Sequence, residues 1–194
     1  MVPGVFRWLE LASSQATIFS AIISGMLGSS SEVKVRKSKL VDAASLADVF
    51  SESWRNAYLG IIPATHLEDL IRRRSTDWWT TALRSGDDIL TLTVAGKIAG
   101  YATYGRTRAR GPYRGEIYEL YLAPTYQGLG FGEHLFEACR HGLDLRGLIG
   151  LLVWALKDNE GACDFYLRRG GRVVAKSADL LGGSRVEKLA FAWD

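Results

Sequence analysis

The sequence predicts a mixed α/β (α+β) domain, in which helices cover the faces of a central β-sheet. Segments with helical periodicity alternate with segments rich in Ile, Val, Thr and Tyr. The near-continuous apolar segment Leu151–Leu156 is typical of a strand that is covered on both faces. The chain has 194 residues, 47% of them hydrophobic and 23% charged, and can therefore bury a core without disulfides.

The first part of the domain is predicted to hold one strand and two helices. Glu32 to Lys39 alternates valines with charged residues, as a half-buried strand does. Asp42 is predicted to cap a helix with five apolar residues at helical spacing, namely Leu46, Val49, Phe50, Trp54 and Ala57. Thr65 and Glu68 predict a capping box for a second helix, and the arginines at 72–74 suit the dipole at its end.

The remaining segments predict strands with two helices between them. Ala95-Gly96 indicates a hairpin turn, a helix follows the glycine-rich segment as far as His141, and Asn159 caps a helix that ends at Gly170-Gly171. The predicted strands are Asp88–Val94, Lys97–Tyr104, Glu116–Leu122, Leu151–Leu156, Arg172–Lys176 and Arg185–Trp193.

Residues 1–31 differ from the rest and are predicted to be an extension to a single domain at 32–194. The apolar run Ile18–Leu27 is too short to span a bilayer. Arg7 alone precedes it as a basic residue, Glu10 offsets that charge, and no clear cleavage site follows, so we favour a non-secretory extension over a signal peptide. The extension could be helical, partly disordered or upstream sequence from a misassigned start. We expect no membrane association and a cytoplasmic location.

Charge and composition argue against nucleic-acid binding and metal binding. The net charge of +3 is too weak to indicate a nucleic-acid partner. Cys139 and Cys163 are predicted to be reduced core thiols, and the three histidines have no zinc-ligand spacing. We therefore expect no metal.

The glycine-rich segment Gln127–Gly132 lies between a predicted strand and a predicted helix. A helix N-terminus exposes unpaired N–H groups and the positive end of the helix dipole, which together favour an anion. Gly128, Gly130 and Gly132 remove side chains that would keep a pyrophosphate from those amides. No Gly-Lys-Ser/Thr is present, and the dinucleotide pattern places Glu133 where its third glycine belongs. The alternative is a glycine-rich turn without a ligand.

Two segments resemble the GNAT superfamily of N-acetyltransferases. Gln127, Gly130 and Gly132 match the family's loop, and the preceding segment 120–126 resembles its strand-to-loop sequence. A second match begins 32 residues later, with Asn159, Ala162, Phe165, Tyr166 and Gly170. The resemblance covers roughly 33–193. It implies a mostly antiparallel sheet of six to seven strands, with a splayed parallel pair in the middle and helices on both faces.

The resemblance implies acetyl-CoA as co-substrate and a set of residues that bind it. Backbone amides of the loop would hold the pyrophosphate, backbone groups of the preceding strand would pair with the pantetheine arm, and Asn159 would hydrogen-bond that arm. The implied cofactor residues are Leu120, Tyr121, Leu122, Gln127, Gly128, Leu129, Gly130, Phe131, Gly132, Glu133, Asn159 and Tyr166.

Amine acetylation needs a neutral amine and a proton for the leaving thiolate. Tyr166 is the predicted general acid, because a phenol donates a proton. Glu116 is slightly preferred as base over Glu119, which should project from the opposite face of the strand, or there is no single base. Trp54 and Tyr58 could line the acceptor site, although core packing would produce the same pattern.

The predicted activity is transfer of an acetyl group to a primary amine on a small molecule, a peptide or a protein. A homodimer is common in the family that the sequence resembles. Two rival interpretations are a module that binds acyl-CoA without catalysis, and a different nucleotide-binding enzyme, which the glycine pattern disfavours.

Overall fold

The computed structural model of the chain describes residues 32–194, and the predicted extension with its serine linker lies outside them. Seven strands form one sheet in the order β1-β2-β3-β4-β5-β7-β6. Their bounds are β1 Val33–Lys37, β2 Ile89–Val94, β3 Lys97–Arg106, β4 Gly115–Leu122, β5 Leu151–Leu156, β6 Arg172–Leu181 and β7 Ser184–Trp193. The predicted strands are confirmed, and β6 is longer than expected.

Five α-helices lie among the described residues. Their bounds are α1 Ala43–Tyr58, α2 Ala64–Arg73, α3 Thr76–Ser85, α4 Phe131–Asp144 and α5 Glu160–Arg168. Helix α3 was not predicted, although its signals stand in the sequence. The Ser75 side chain accepts a hydrogen bond from the N–H of Trp78, and Gly86 ends the helix in the left-handed conformation.

The sheet is antiparallel except at its centre, where β4 and β5 run parallel. Only Gly115–Ile117 pairs with Leu151–Val153, and the rest of β4 has no strand partner on that side among residues 32–194. The predicted splayed parallel pair is thus confirmed. The Ala95-Gly96 turn is confirmed as well, with both residues at positive φ, as a two-residue hairpin requires.

Two hydrophobic layers cover the sheet. Helices α4 and α5 pack on one face, where Leu135, Phe136 and Phe191 are fully buried. Helices α1 to α3 pack on the other face around Phe50 and Trp79. The structure therefore has helices on both faces, as predicted, and the splay between β4 and β5 opens between the two layers.

Both predicted side-chain caps of the early helices are wrong. Asp42 stands at the N-cap position of α1, but its carboxylate accepts from the guanidinium of Arg36 and the N–H of Lys39. Helix α2 begins at Ala64 after Pro63, and Glu68 pairs with Arg55 of α1 instead of forming a capping box. In both cases a tertiary ion pair replaces the local hydrogen bond.

The Arg36–Asp42 pair predicts a measurable loss of stability in Asp42→Asn. The Asp42 side chain is 5% exposed, and its carboxylate accepts hydrogen bonds from Nη1 and Nη2 of Arg36, at 2.7 and 2.9 Å. We expect the free energy of unfolding at pH 7 to fall by about 2 kcal/mol, a typical cost of losing charged hydrogen bonds. The exposed pair Asp69–Arg72 supplies the control, because Asp69→Asn should cost about 0.5 kcal/mol or less. Equal losses in urea titrations of the two variants would contradict this assignment.

The same pair sets a pH dependence of stability. Hydrogen bonds from Arg36 lower the pKa of Asp42, so the folded protein holds this carboxylate ionised to lower pH than the unfolded chain does. The stabilisation is present above the unfolded pKa of about 3.9 and is lost as pH falls through the lowered folded pKa. The difference between the protein and Asp42→Asn should accordingly shrink below about pH 4.

Candidate active site

The splay between β4 and β5 opens a cleft of about 690 Å³. Its walls come from the end of α1, the second half of β4, the glycine loop, β5 and α5. Ala123 donates to Ala99 of β3, and hydrogen bonding alternates along an antiparallel strand. The backbone groups of Leu120 and Leu122 therefore face the cleft, whereas those of Tyr121 face β3.

The glycine loop presents a row of backbone N–H groups without partners. The amides of residues 128–132 have no backbone acceptor among residues 32–194. Those of Gln127 and Glu133 do have one, at the carbonyls of Pro124 and Gly130. Five consecutive free amides at the start of α4 could bind an anion. The amides of Gln127 and Glu133, which were also predicted to bind the cofactor, are already hydrogen-bonded.

The three glycines of the loop are required for different reasons. Gly128 and Gly130 have φ of 75° and 82°, a conformation that side chains disfavour, and open space surrounds both. Gly132 has ordinary dihedrals, but a Cβ there would lie 2.9 Å from the ring of Phe165. Close packing between α4 and α5 thus accounts for Gly132. Of the two residues that alternate with these glycines, Leu129 has an exposed side chain and Phe131 a buried one.

Gln127 fastens the loop to the end of β4 through its side chain. Its Nε2 donates to the Leu122 carbonyl at 3.0 Å, and the Ser53 hydroxyl donates to the same oxygen at 2.9 Å. These two hydrogen bonds satisfy the Leu122 carbonyl. The N–H of Leu122, together with the N–H and carbonyl of Leu120, remains for a ligand. Gln127 acts here by shaping the loop.

Tyr166 lines the cleft from α5 with its ring inside the core. The residue is 6% exposed and packs on Phe136, Phe191 and Trp193. Its hydroxyl has no hydrogen-bond partner within the described chain. Burial raises the pKa of Tyr166 well above its ordinary value, so the phenol keeps its proton at neutral pH.

The two candidate carboxylates lie on the same face of β4, contrary to prediction. Ile117, Leu120 and Leu122 all pack in the α4 layer, so Glu116 and Glu119 both project away from it. A bulge in the pairing with β3 inserts one extra residue between them and shifts the alternation. Strict period-2 counting fails at that bulge.

Only one of the two carboxylates lines the cleft. Glu116 is 4% exposed and accepts from the N–H of Arg108 at 2.8 Å and the Thr107 hydroxyl at 3.2 Å. It holds the loop after β3 and is absent from the cleft wall. Glu119 does line the cleft and accepts from the Tyr101 hydroxyl at 3.0 Å.

Arg74 is a partner of Glu119 that the sequence analysis missed. Its Nη2 lies 2.6 Å from Oε1 of Glu119, and its guanidinium stacks 3.9 Å from the Trp78 ring centroid. We had assigned this arginine to the dipole of α2. The pair joins residues 45 positions apart, and no local pattern signals it.

The aromatic candidates separate into one cleft residue and one packing residue. Tyr58 lines the cleft, and its hydroxyl lies 2.7 Å from that of Tyr121. Trp54 packs between Phe50 and Tyr58 and is not part of the cleft wall. Asn159 caps α5 through Oδ1, which accepts the N–H of Ala162 at 3.1 Å, and the residue lines the cleft.

Comparison with known proteins agrees with this geometry. The acetyltransferase (GNAT) family matches residues 45–171, about two thirds of the chain. The chain belongs to the GNAT family of acetyltransferases. Membership makes it an N-acetyltransferase with acetyl-CoA as co-substrate, as the sequence predicted.

Individual relatives cover most of the acetyltransferase. The N-acetyltransferase YuaI of Bacillus subtilis strain 168 is 29% identical over 162 residues, which are 83% of this chain and 92% of the relative. The spermidine N(1)-acetyltransferase of Thermoplasma acidophilum is 23% identical over 143 residues, covering 73% and 89% of the two chains. The PaiA N-acetyltransferase of that organism, solved in complex with coenzyme A, shares the fold with a TM-score of 0.65. It is 21% identical and covers 81% of this chain and 98% of its own.

Residues 32–194 of the acetyltransferase hold neither a candidate membrane-spanning helix nor a candidate metal site. No helix in that range combines the length and apolar character needed to cross a bilayer. No group of three or more His, Cys, Asp or Glu in the same range is arranged to hold a metal ion.

Proposed function

We propose that this acetyltransferase moves an acetyl group from acetyl-CoA to a primary amine by direct attack within the β4–β5 cleft. The observation that carries the proposal is the convergence on one cleft of five free loop amides, the open backbone groups of Leu120 with the N–H of Leu122, and the Tyr166 hydroxyl. An anion site and a strand edge suit the binding of coenzyme A, and a proton donor suits the thiolate that leaves when an amine attacks the thioester.

The residues present fit coenzyme A along the length of the cleft. The free amides of residues 128–132 suit its pyrophosphate, and the open backbone groups of Leu120 with the N–H of Leu122 suit the amides of its pantetheine arm. We assign the side-chain amide nitrogen of Asn159 to the same arm, because Asn159 lines the cleft and its Oδ1 is used as the cap of α5. Acetyl-CoA supplies the activated thioester.

Tyr166 serves as the general acid in this proposal. Its buried ring fixes the hydroxyl at the cleft wall, and its raised pKa keeps the phenol protonated before the thiolate forms. Because the pKa is raised, titration of Tyr166 itself should not reduce the rate until pH exceeds the ordinary tyrosine value of about 10.

Glu119, rather than Glu116, serves as the base or as the anchor of the acceptor amine. It is the carboxylate at the cleft wall, and Arg74 and Tyr101 hold it in one orientation. A fixed carboxylate can receive the proton of the amine directly or through a water molecule. Tyr58 and Tyr121 flank it with hydroxyl groups and form the acceptor end of the cleft.

The acceptor that we propose is a primary amine on a small molecule, with a peptide or protein amine as the alternative. The relative from Thermoplasma acidophilum, named for spermidine, supports the small-molecule class. A cytoplasmic location and a homodimer stay predictions.

The proposal is tested by calorimetric titration with acetyl-CoA, using NAD and ATP as controls, followed by an amine screen that detects free thiol. We expect saturable one-site binding of acetyl-CoA alone, and thiol release that depends on an added amine. Binding without turnover by any amine would favour the module that holds acyl-CoA without catalysis. No binding by the folded chain would overturn the proposal.

Glu119→Gln and Glu116→Gln should fail in different ways. Glu119→Gln removes the cleft carboxylate, and we expect kcat/KM for the amine to fall by about 10²-fold, within the range for a lost base. Glu116→Gln disturbs the buried contacts to Thr107 and Arg108, and should lower the unfolding midpoint with little change in kcat. Steady-state rates and thermal unfolding of both variants separate the two roles. The reverse pattern would return the base to Glu116.

A further inference from the structure

Arg169 lies at the end of α5, against the first turn of α4. Its guanidinium stacks on the Phe165 ring, with 3.7 Å from Cζ to the ring centroid, and its Nη1 donates to the Phe165 carbonyl at 3.3 Å. Its Nη2 lies 3.4 Å from the Glu133 carboxylate. The side chain is 17% exposed and lines the cleft beside the glycine loop.

The hydrogen-bonding capacity of Arg169 is incompletely used. Its Nε is buried and has no partner among residues 32–194. The 3.4 Å contact with Glu133 is longer than the 2.7–2.9 Å typical of charge-assisted hydrogen bonds. Burial also lowers the pKa of Arg169, because desolvation disfavours the charged guanidinium. A phosphate bound in the cleft at this position would compensate the positive charge of Arg169.

The glycine loop has no positive side chain of its own. Residues 123–133 contain no Lys or Arg, and Glu133 adds a negative charge to the first turn of α4. Within the described part of the chain, the cations at the cleft wall are Arg168 and Arg169. Arg168 is 69% exposed, whereas stacking and partial burial hold Arg169 in place.

We propose that Arg169 is a phosphate ligand for coenzyme A, and that its guanidinium exchanges the weak contact with Glu133 for a phosphate group. The inference rests on the proposed function and adds a side-chain ligand to the backbone amides of the loop. A guanidinium fork matches phosphate oxygens in geometry and charge, and stacking on Phe165 limits the entropy lost on binding.

The test is equilibrium binding of acetyl-CoA, acetyl-dephospho-CoA and acetylpantetheine to the protein, Arg169→Met and Arg169→Lys. Methionine keeps an apolar stem over Phe165 and removes the charge. We expect Arg169→Met to raise the Kd of acetyl-CoA about tenfold or more, and to flatten its dependence on salt concentration. Lysine should recover part of the loss, since it restores charge without the fork.

The three ligands identify the phosphate that Arg169 binds. If Arg169→Met loses affinity for acetyl-CoA but not for acetyl-dephospho-CoA, the contact is with the 3′-phosphate. If Arg169→Met loses affinity for acetyl-dephospho-CoA as well but not for acetylpantetheine, the contact is with the pyrophosphate. An equal loss with all three ligands would show that the substitution acts through packing, and would overturn the proposal.

Two further variants control for charge and for the competing carboxylate. Arg172→Ala removes one positive charge at a surface pair with Asp194 outside the cleft wall, and should leave Kd unchanged. Glu133→Gln should lower the Kd of acetyl-CoA, because it frees Arg169. If the unaltered protein binds acetyl-CoA and all variants have the same Kd, the inference about Arg169 fails while the proposed function stands. If the unaltered protein does not bind acetyl-CoA, the proposed function fails with it.

Discussion

Replacing Gly130 by Asp is expected to abolish acetyl-CoA binding, with a rise in Kd of at least about 10²-fold. Gly130 stands at the N-cap of α4 with φ of 82°, amid the free amides of residues 128–132. An Asp carboxylate there could accept from those amides itself and would repel the pyrophosphate. Calorimetric titration measures the loss directly.

Two matched variants separate charge from backbone strain. Gly130→Asn places a side chain of the same size at the same dihedrals without the charge, and Asn tolerates this conformation. It should retain far more affinity than Gly130→Asp. Gly86→Asp repeats the substitution at φ of 84° in open space at the end of α3, away from the cleft, and should leave Kd unchanged. Wild-type affinity in folded Gly130→Asp would refute the role of the loop.

Tyr166→Phe is expected to lower kcat by about 10²-fold or more while leaving the Kd of acetyl-CoA nearly unchanged. The substitution removes only the hydroxyl, the proposed source of the proton for the thiolate, and general acids contribute about 10²–10⁴-fold. The ring still fills its place among Phe136, Phe191 and Trp193. Because the hydroxyl has no partner within residues 32–194, the unfolding midpoint should hardly move.

The control for Tyr166→Phe is Tyr104→Phe, which removes a half-buried hydroxyl from the α4 layer outside the cleft wall. It should leave kcat unchanged. A thioester that is a better leaving group needs less help from an acid, so the deficit of Tyr166→Phe should shrink with such a donor. Equal rates for Tyr166→Phe and the unaltered protein would remove the tyrosine from the mechanism.

Elements with local causes could be predicted closely from the sequence. Leu151–Leu156 was located to the residue, because a strand covered on both faces leaves an uninterrupted apolar run. Asn159 was identified as a cap, because a short polar side chain satisfies the free amides of the first turn. The Ala95-Gly96 turn followed from the same kind of reasoning. Helix α3 was missed even though Ser75 and Gly86 mark its two ends.

Caps were mispredicted where an arginine on another helix or strand competed for the side chain. Asp42 and Glu68 both stand near helix starts, and both have carboxylates that suit a cap. Each instead pairs with an arginine, Arg36 and Arg55 respectively, because a guanidinium offers two charged donors and a backbone amide one neutral donor.

By itself, the sequence determined the glycine loop, the strand β4 that leads into it and the Asn159 cap of α5. The physical causes of each lie within a few residues of it. The tertiary structure alone decided which carboxylate faces the cleft. That choice depends on a bulge in β4, and the bulge exists only through pairing with β3. The tertiary structure also brings Arg74 to Glu119 and Arg169 to Glu133. Such pairs depend on how helices pack on the sheet, and the spacing of residues along the chain carries no record of them.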